Sequence, residues 1–223
     1  GERVRVDLSG TTVKGDSEGN ENSDNTESDG SSGPSSREPQ NVVADGLDIQ
    51  FAEDGDYDLT VRTRDANTNS KSASRPDLST NALDNDGRRF AHETRQRPVG
   101  FIEVETEFEE DAVETATHRF RVRRSYLEST GASVESVRLY RDEGDRFRPL
   151  DTRLVGESDA FYRFEAESPG LSVFVIGSEA PAFSVDEPTL LQADALSGEV
   201  EAALTVENVG SANGTYTAQL AAG

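Results

Sequence analysis

The sequence predicts an all-β protein: an antiparallel β-sandwich carrying a long disordered acidic loop, followed by a second, incomplete β unit. Three observations predict it. Short runs of alternating apolar and polar residues recur at close spacing between Gly, Asn, Asp and Ser turns, which is the pattern of sandwich strands. The run Leu171 to Ile176 is apolar on both faces, as a central strand must be. Residues 15–40 carry almost nothing apolar, so they cannot bury enough surface to offset the entropy of ordering.

Taken in order, Val4, Val6 and Leu8 alternate with Arg5 and Asp7, a half-buried strand within residues 1–14 that belongs to a preceding or to the same β domain. Residues 15–40 follow as a disordered acidic linker or insertion. Residues 41–180 form the sandwich. In it, Leu47, Ile49 and Phe51 make one strand face, Glu53 to Asp56 a turn, and Tyr57, Leu59 and Val61 the returning face, together a hairpin. Asp65 to Gly87 is polar and irregular, a long loop. Ile102, Val104, Thr106 and Phe108 give the next strand, and His118, Phe120 and Val122 another. Ser125 and Glu128 have capping-box spacing, and Gly131 limits the helix they start to a turn or two. Strands recur at Val137–Leu139, Arg146–Arg148, Tyr162–Ala166 and Leu171–Ile176. Leu139, Phe164, Val173 and Phe174 are expected in the main core or its rim. After Pro181 a new unit, 181–223, begins: Val200, Ala202, Leu204 and Val206 alternate, Asn208 to Gly214 turn, and Tyr216, Ala218 and Leu220 return. Gly1 opens in mid-pattern and Gly223 interrupts another pattern, so the chain reads as an excised piece of a longer protein.

The 223 residues hold 44 Asp+Glu against 22 Lys+Arg, a formal charge of −22. Such self-repulsion destabilises a compact state in dilute salt; molar salt shortens the Debye length to about 3 Å and removes most of the cost. Lys14 and Lys71 are the only lysines. Acidic, lysine-poor and arginine-rich composition resembles that of halophilic archaeal proteins. Nucleic acid is excluded as a partner, because phosphate binding needs a concentrated basic stripe. The densest groups are Arg88–Arg89 and Arg119, Arg121, Arg123 and Arg124; the latter alternates with Phe120 and Val122 and reads as the solvated face of a strand. With no Cys, disulfides, thiolate metal sites and cysteine nucleophiles are excluded.

No catalytic or metal constellation emerges. Gly15-Asp16-Ser17-Glu18-Gly19 has the spacing of a nucleophile elbow, but an acidic Ser/Gly tract follows where a helix must hold the strained turn. His92 and His118, with Glu93 or Glu114, fall short of the four ligands of a structural zinc site. Asp54, Asp56 and Asp58 alternate, and Asp84, Asp86 and Gly87 resemble half a calcium loop, yet Ala82 stands at the first position and Glu93 comes one residue late. Nothing selects a hydrolytic pair from Glu107, Glu109, Glu110 and Glu114. Asn213-Gly214-Thr215 is an N-glycosylation sequon on a turn, so Asn213 is the one candidate modification site. The chain is expected to be non-enzymatic and free of cofactor and metal.

One stretch carries a family resemblance. Val137-Arg138-Leu139-Tyr140-Arg141 is a V-x-LYR strand. Arg146-Phe147-Arg148 leads to Pro149-Leu150-Asp151-Thr152, and Ser168-Pro169-Gly170-Leu171-Ser172 opens an apolar strand. This order resembles the PGF-pre-PGF domain of archaeal cell-surface proteins, with Pro169-Gly170-Leu171 in place of Pro-Gly-Phe and Asp151 inserted in the Leu-Pro-Thr-like order. The resemblance implies an extracellular, cell-surface module between an exported N-terminal part and a membrane-linked C-terminal sorting tail. Its role would be spacing, display or envelope contact. Other cell-envelope proteins or glycans would be its partners, and a membrane link would run only through parts of the parent outside this chain. Residues 204–220, LTVENVGSANGTYTAQL, are similar to the early hairpin of CARDB-type domains, which implies that 181–223 is a partial immunoglobulin-like domain. Two alternatives stay open: a ligand-binding or adhesion module using a sandwich end loop or the Asp65–Gly87 loop, and an accessory domain of a secreted hydrolase whose catalytic part lies elsewhere.

Overall fold

The computed structural model describes residues 3–8, 40–53, 55–66, 79–194 and 199–217. The tract 15–40, except Gln40, lies outside them, as does the Gly15–Gly19 motif. Two antiparallel five-stranded sheets pack face to face, joined by two small two-stranded sheets and few helices. The first sheet runs β1 (Arg3–Asp7), β2 (Val42–Phe51), β5 (Val113–Arg123), β9 (Phe161–Ser168), β8 (Thr152–Glu157). The second runs β3 (Leu59–Asp65), β4 (Arg97–Thr106), β10 (Val173–Ser178), β6 (Arg138–Asp142), β7 (Phe147–Pro149).

Alternation decides which residues meet between the sheets. Leu47, Ile49 and Phe51 on β2, Phe120 and Val122 on β5, Phe164 and Ala166 on β9, Ile102 on β4, Leu139 on β6, and Phe174 and Ile176 on β10 form one buried cluster. β10 is the central strand of its sheet, paired with β4 on one side and β6 on the other, as its doubly apolar sequence anticipates. Val173 departs from the expected core or rim. It is 36 % exposed, because its phase puts it on the outer face of the second sheet, beyond the part where Val175 is covered.

That cover is a helix, α1 (Asn85–Thr94), whose first residues fall at the end of the Asp65–Gly87 stretch expected to be an irregular loop; residues 67–78 of that stretch lie outside the described residues. Leu83, Phe90 and Ala91 pack on Phe101, Tyr140, Phe147 and Val175 in a second core. The Phe90 ring meets Tyr140 and Phe147 edge-on, each at 5.0 Å. Asp84 caps the helix, its carboxylate accepting from the Gly87 amide at 2.7 Å. Gly177 lets helix and sheet approach: a Cβ there would lie 2.6 Å from Phe90 Cζ.

The expected hairpin of residues 47–61 does not form. Both hydrogen-bonding edges of β2 are taken, by β1 and by β5. The chain therefore crosses to the other sheet, where β3 pairs with β4. Tyr57 stacks on Phe51 at 3.7 Å and Phe108 closes on both rings, so three aromatics seal the crossing. The capping box is also corrected. In α2 (Arg124–Thr130) Ser125 lies inside the helix and the cap position is Arg123, without a side-chain cap bond. β5 stays paired to β9 through Arg123, so the helix begins directly where the strand ends; it stops at Gly131, φ 71°.

After β10 the chain forms β11 (Phe183–Val185), β12 (Thr189–Asp194), β13 (Glu199–Ala203) and β14 (Val206–Asn208). β11 pairs with β14 and β12 with β13. The single strand expected from Val200 to Val206 is thus two strands, broken at Leu204–Thr205, and the partners come from upstream. Residues 213–217 form no strand, and 218–220 lie outside the described residues. This unit rests on the sandwich: Phe183 bridges Ser79, and the Asn81 side-chain amide donates to the Val185 carbonyl at 2.9 Å.

Candidate functional site

The residues singled out for chemistry are dispersed by the fold. His92 is exposed on α1, whereas His118 is 2 % exposed between the sheets, on the other side of the second sheet. The His118 ring lies 4.1 Å from the Phe174 ring and its Nε2 finds no hydrogen-bond partner. Burial pushes its pKa down to about 3, so the imidazole is neutral and behaves as a core aromatic. Glu114 is exposed on the first sheet and accepts from the Gln50 side chain at 2.7 Å. Among the described residues no group of three His, Asp or Glu could hold a metal ion. Asp84 and Asp86, the half calcium loop, are engaged with the Arg64 guanidinium, which also binds Glu103 and lies 3.6 Å over the Phe101 ring. Asp56, Asp58, Glu107 and Glu109 are exposed, and Asp54 and the Glu110 side chain lie outside the described residues. Asn213 is exposed beyond β14.

The arginines do converge. The outer face of the first sheet is charged across its strands. β1 places Arg3, Arg5 and Asp7 there, the second half of β5 places Arg119, Arg121 and Arg123, and β9 places Arg163, Glu165 and Glu167, while the other faces of β5 and β9 fill the core. Asp48, on β2 between β1 and β5, accepts from Arg5 Nε at 2.8 Å and Nη2 at 3.2 Å, and from Arg119 Nη1 at 2.6 Å and Nη2 at 3.2 Å. Burial pushes this carboxyl up, but the bonds from Arg5 and Arg119 outweigh it and hold it below the usual carboxylate range. Earlier on β2 the balance differs. Asp45 lies 2.7 Å from Arg121 Nε. Its carboxyl is raised: burial dominates, and the nearby Arg121 and Arg163 offset it only in part. Arg121 stands directly across from Arg163, and Arg123 from Phe161. The Phe161 ring lies under both Arg121, at 5.0 Å, and Arg123, at 4.8 Å.

Part of this face is visible in the sequence as the alternation from Arg119 to Arg123. What sequence spacing does not reveal is that Arg5 and Arg163, far along the chain, are brought to its two sides. A second feature, also unanticipated, is a shallow cleft of about 360 Å³ where the C-terminal unit meets the sandwich, lined by Asn81, Val185, Leu204 and Tyr216 among others. Among the described residues no helix is long and apolar enough to cross a membrane. Compared with protein-family models, with curated proteins and with solved structures, the chain matches none of them.

Proposed function

We propose that this chain is a non-catalytic structural and display module of a haloarchaeal cell-surface protein, extracellular in location, with a PGF-pre-PGF-like sandwich over residues 41–180 and a partial CARDB-like, immunoglobulin-type unit over 181–223. The observation that carries the reading is how the resembling residues are used. Leu139, Leu150 and Leu171, one from each motif segment, belong to the same inter-sheet core, and Tyr140 to the core under α1. The Thr152 hydroxyl accepts from the Leu139 amide at 2.9 Å and donates to the Leu150 carbonyl at 3.1 Å, tying two of the segments together. Ser168 Oγ donates to the Gly170 carbonyl at 2.7 Å and shapes the turn into β10. A motif made of core and turn residues specifies a scaffold, and a scaffold that meets its neighbour through backbone bridges suits spacing and display.

The reading is tested on intact cells that produce the parent protein. Brief surface proteolysis followed by mass spectrometry should release peptides of this chain, with Asn213 carrying a glycan mass. Release only after lysis would end the extracellular reading. The adhesion alternative draws on the cleft beside Tyr216; a Tyr216→Ala variant that loses attachment to envelope material while keeping its melting temperature would favour it over a passive spacer.

A further inference from the structure

In a chain with twice as many acids as bases, one end of the first sheet's outer face reverses the ratio. Arg5, Arg119, Arg121, Arg123 and Arg163 gather there around Asp7, Asp45, Asp48 and Glu165, so that bases outnumber acids five to four. Arg5 and Arg119 are consumed by Asp48. Arg121 and Arg163 face each other across β5 and β9, and Asp45, on β2 at the far side of β5, lies 2.7 Å from Arg121 Nε. Like charges directly opposite on a sheet face destabilise it; Asp45 relieves Arg121 from one side, and burial raises that carboxyl's pKa. Arg123 adds a third guanidinium, its Nε donating to the Gln40 carbonyl at 3.2 Å, and the Phe161 ring centroid lies 5.0 Å from Arg121 Cζ and 4.8 Å from Arg123 Cζ, within cation–π reach of both. A fork of guanidinium donors that is pre-oriented in this way loses little freedom when it meets carboxylates.

The spacing indicates the ligand. Arg121 and Arg123 stand two residues apart on an antiparallel strand, about 6.8 Å, with Arg163 directly across from Arg121 on β9. An extended peptide with carboxylates on alternating residues has the same repeat. We propose that this face, centred on Arg121, Arg123 and Arg163, docks an extended acidic segment of a partner protein, its alternate Asp or Glu side chains taken by successive guanidinium groups. The inference requires neither the extracellular location nor the family resemblance. Contact pairs of this kind lie within the Debye length of even molar salt, about 3 Å, so the docking is compatible with a saline setting.

The probe is a fluorescein-labelled ten-residue peptide of alternating Asp and Ser, titrated with the full chain by fluorescence anisotropy at about 0.15 M salt, where the Debye length is about 8 Å. The alternating peptide is expected to bind at least about tenfold more tightly than one with the same five Asp in a block, a difference of about 1.4 kcal/mol. Arg121→Ser/Arg163→Ser should reduce binding at least tenfold. Arg62→Ser/Arg146→Ser removes the same charge from exposed positions elsewhere and should leave binding unchanged. Arg163→Ser alone, at an exposed position, serves if the double variant melts early. Equal loss in both double variants, equal affinity for the block peptide, tighter binding of polygalacturonate, or no binding at all would each overturn the proposal.

Discussion

His118 shows how a single titratable group in a core writes itself into stability. Its imidazole is buried against Phe174 with a pKa near 3, against about 6.5 in an unfolded chain. Between those values the unfolded state binds a proton that the folded state refuses. Above pH 6.5 both states are neutral and nothing is lost; as pH falls from 6.5 towards 3 the native state loses about 1.4 kcal/mol per pH unit from this residue alone. Replacing it by Phe, which needs no proton partner, should flatten the pH dependence of the urea midpoint in that window, and an unchanged slope would show that the ring is not excluded from water. The neighbouring side chains separate core from surface equally sharply. Phe164→Ala and Phe174→Ala should each cost about 3–5 kcal/mol, since a cavity adds to the lost transfer energy. Val173→Ala, on the open part of the outer face, should stay within about 1 kcal/mol. Chemical denaturation of the three variants checks all of this together.

At the level of elements, the sequence pattern is readable wherever one face is buried and the other is wet. β4, β5, β9 and β10 follow their alternation, and the central place of β10 follows from its two apolar faces. What the pattern does not carry is strand pairing. Adjacency suggests the Leu47–Val61 hairpin, yet the two edges of β2 are filled by residues far away in the chain. Residues 152–157 give little apolar signal because β8 is an edge strand with Leu154 and Val155 exposed. α1 is illegible for a related reason: only Phe90 and Ala91 face the sheet, joined by Leu83 just before the helix, and the rest of its hold is ionic. Arg64 ties the helix start through Asp84 and Asp86, and Arg89 ties its middle to Asp142 and the Gly144 carbonyl while lying 4.3 Å over the Phe147 ring. The arginine face is half legible in the same way, its β5 row visible and its flanking Arg5 and Arg163 not. From this, Arg64→Ala should speed amide exchange across residues 85–94 well before it affects β5 or β9. Gly177→Ala, which drives a methyl into Phe90, should cost about 1–3 kcal/mol. Uniform exchange acceleration over the whole chain in the Arg64 variant would mean that α1 does not unfold as a separate unit.

For the whole molecule the deciding quantity is the balance between net repulsion and local pairing, and salt screens both, the long-range repulsion far more than the contact pairs. Among the ion pairs of the described residues, arginine pairs such as Arg64–Glu103 and Arg121–Asp45 are half-buried, and others, such as Arg62–Glu105, lie on the surface. Pairs of that exposure contribute about 0–1 kcal/mol each and weaken as salt is added. Against them stands a formal charge of −22 on 223 residues, whose self-repulsion acts over the full Debye length, about 30 Å at 0.01 M and about 3 Å at 1 M. The range of the repulsion therefore spans the domain in dilute salt and vanishes in molar salt, whereas the pairs lose little because their partners are already in contact. The surplus of acids over bases cannot be paired away, so repulsion outweighs pairing. Melting temperature followed by circular dichroism should accordingly rise steeply from about 0.01 M to 1 M KCl, then flatten once the screening length falls below the spacing of neighbouring charges. Sodium chloride should give the same curve, since screening depends on ionic strength and not on the cation. A flat response would remove the physical basis for the halophilic assignment. A rise only with sulfate would assign the effect to exclusion of the salt from apolar surface rather than to charge.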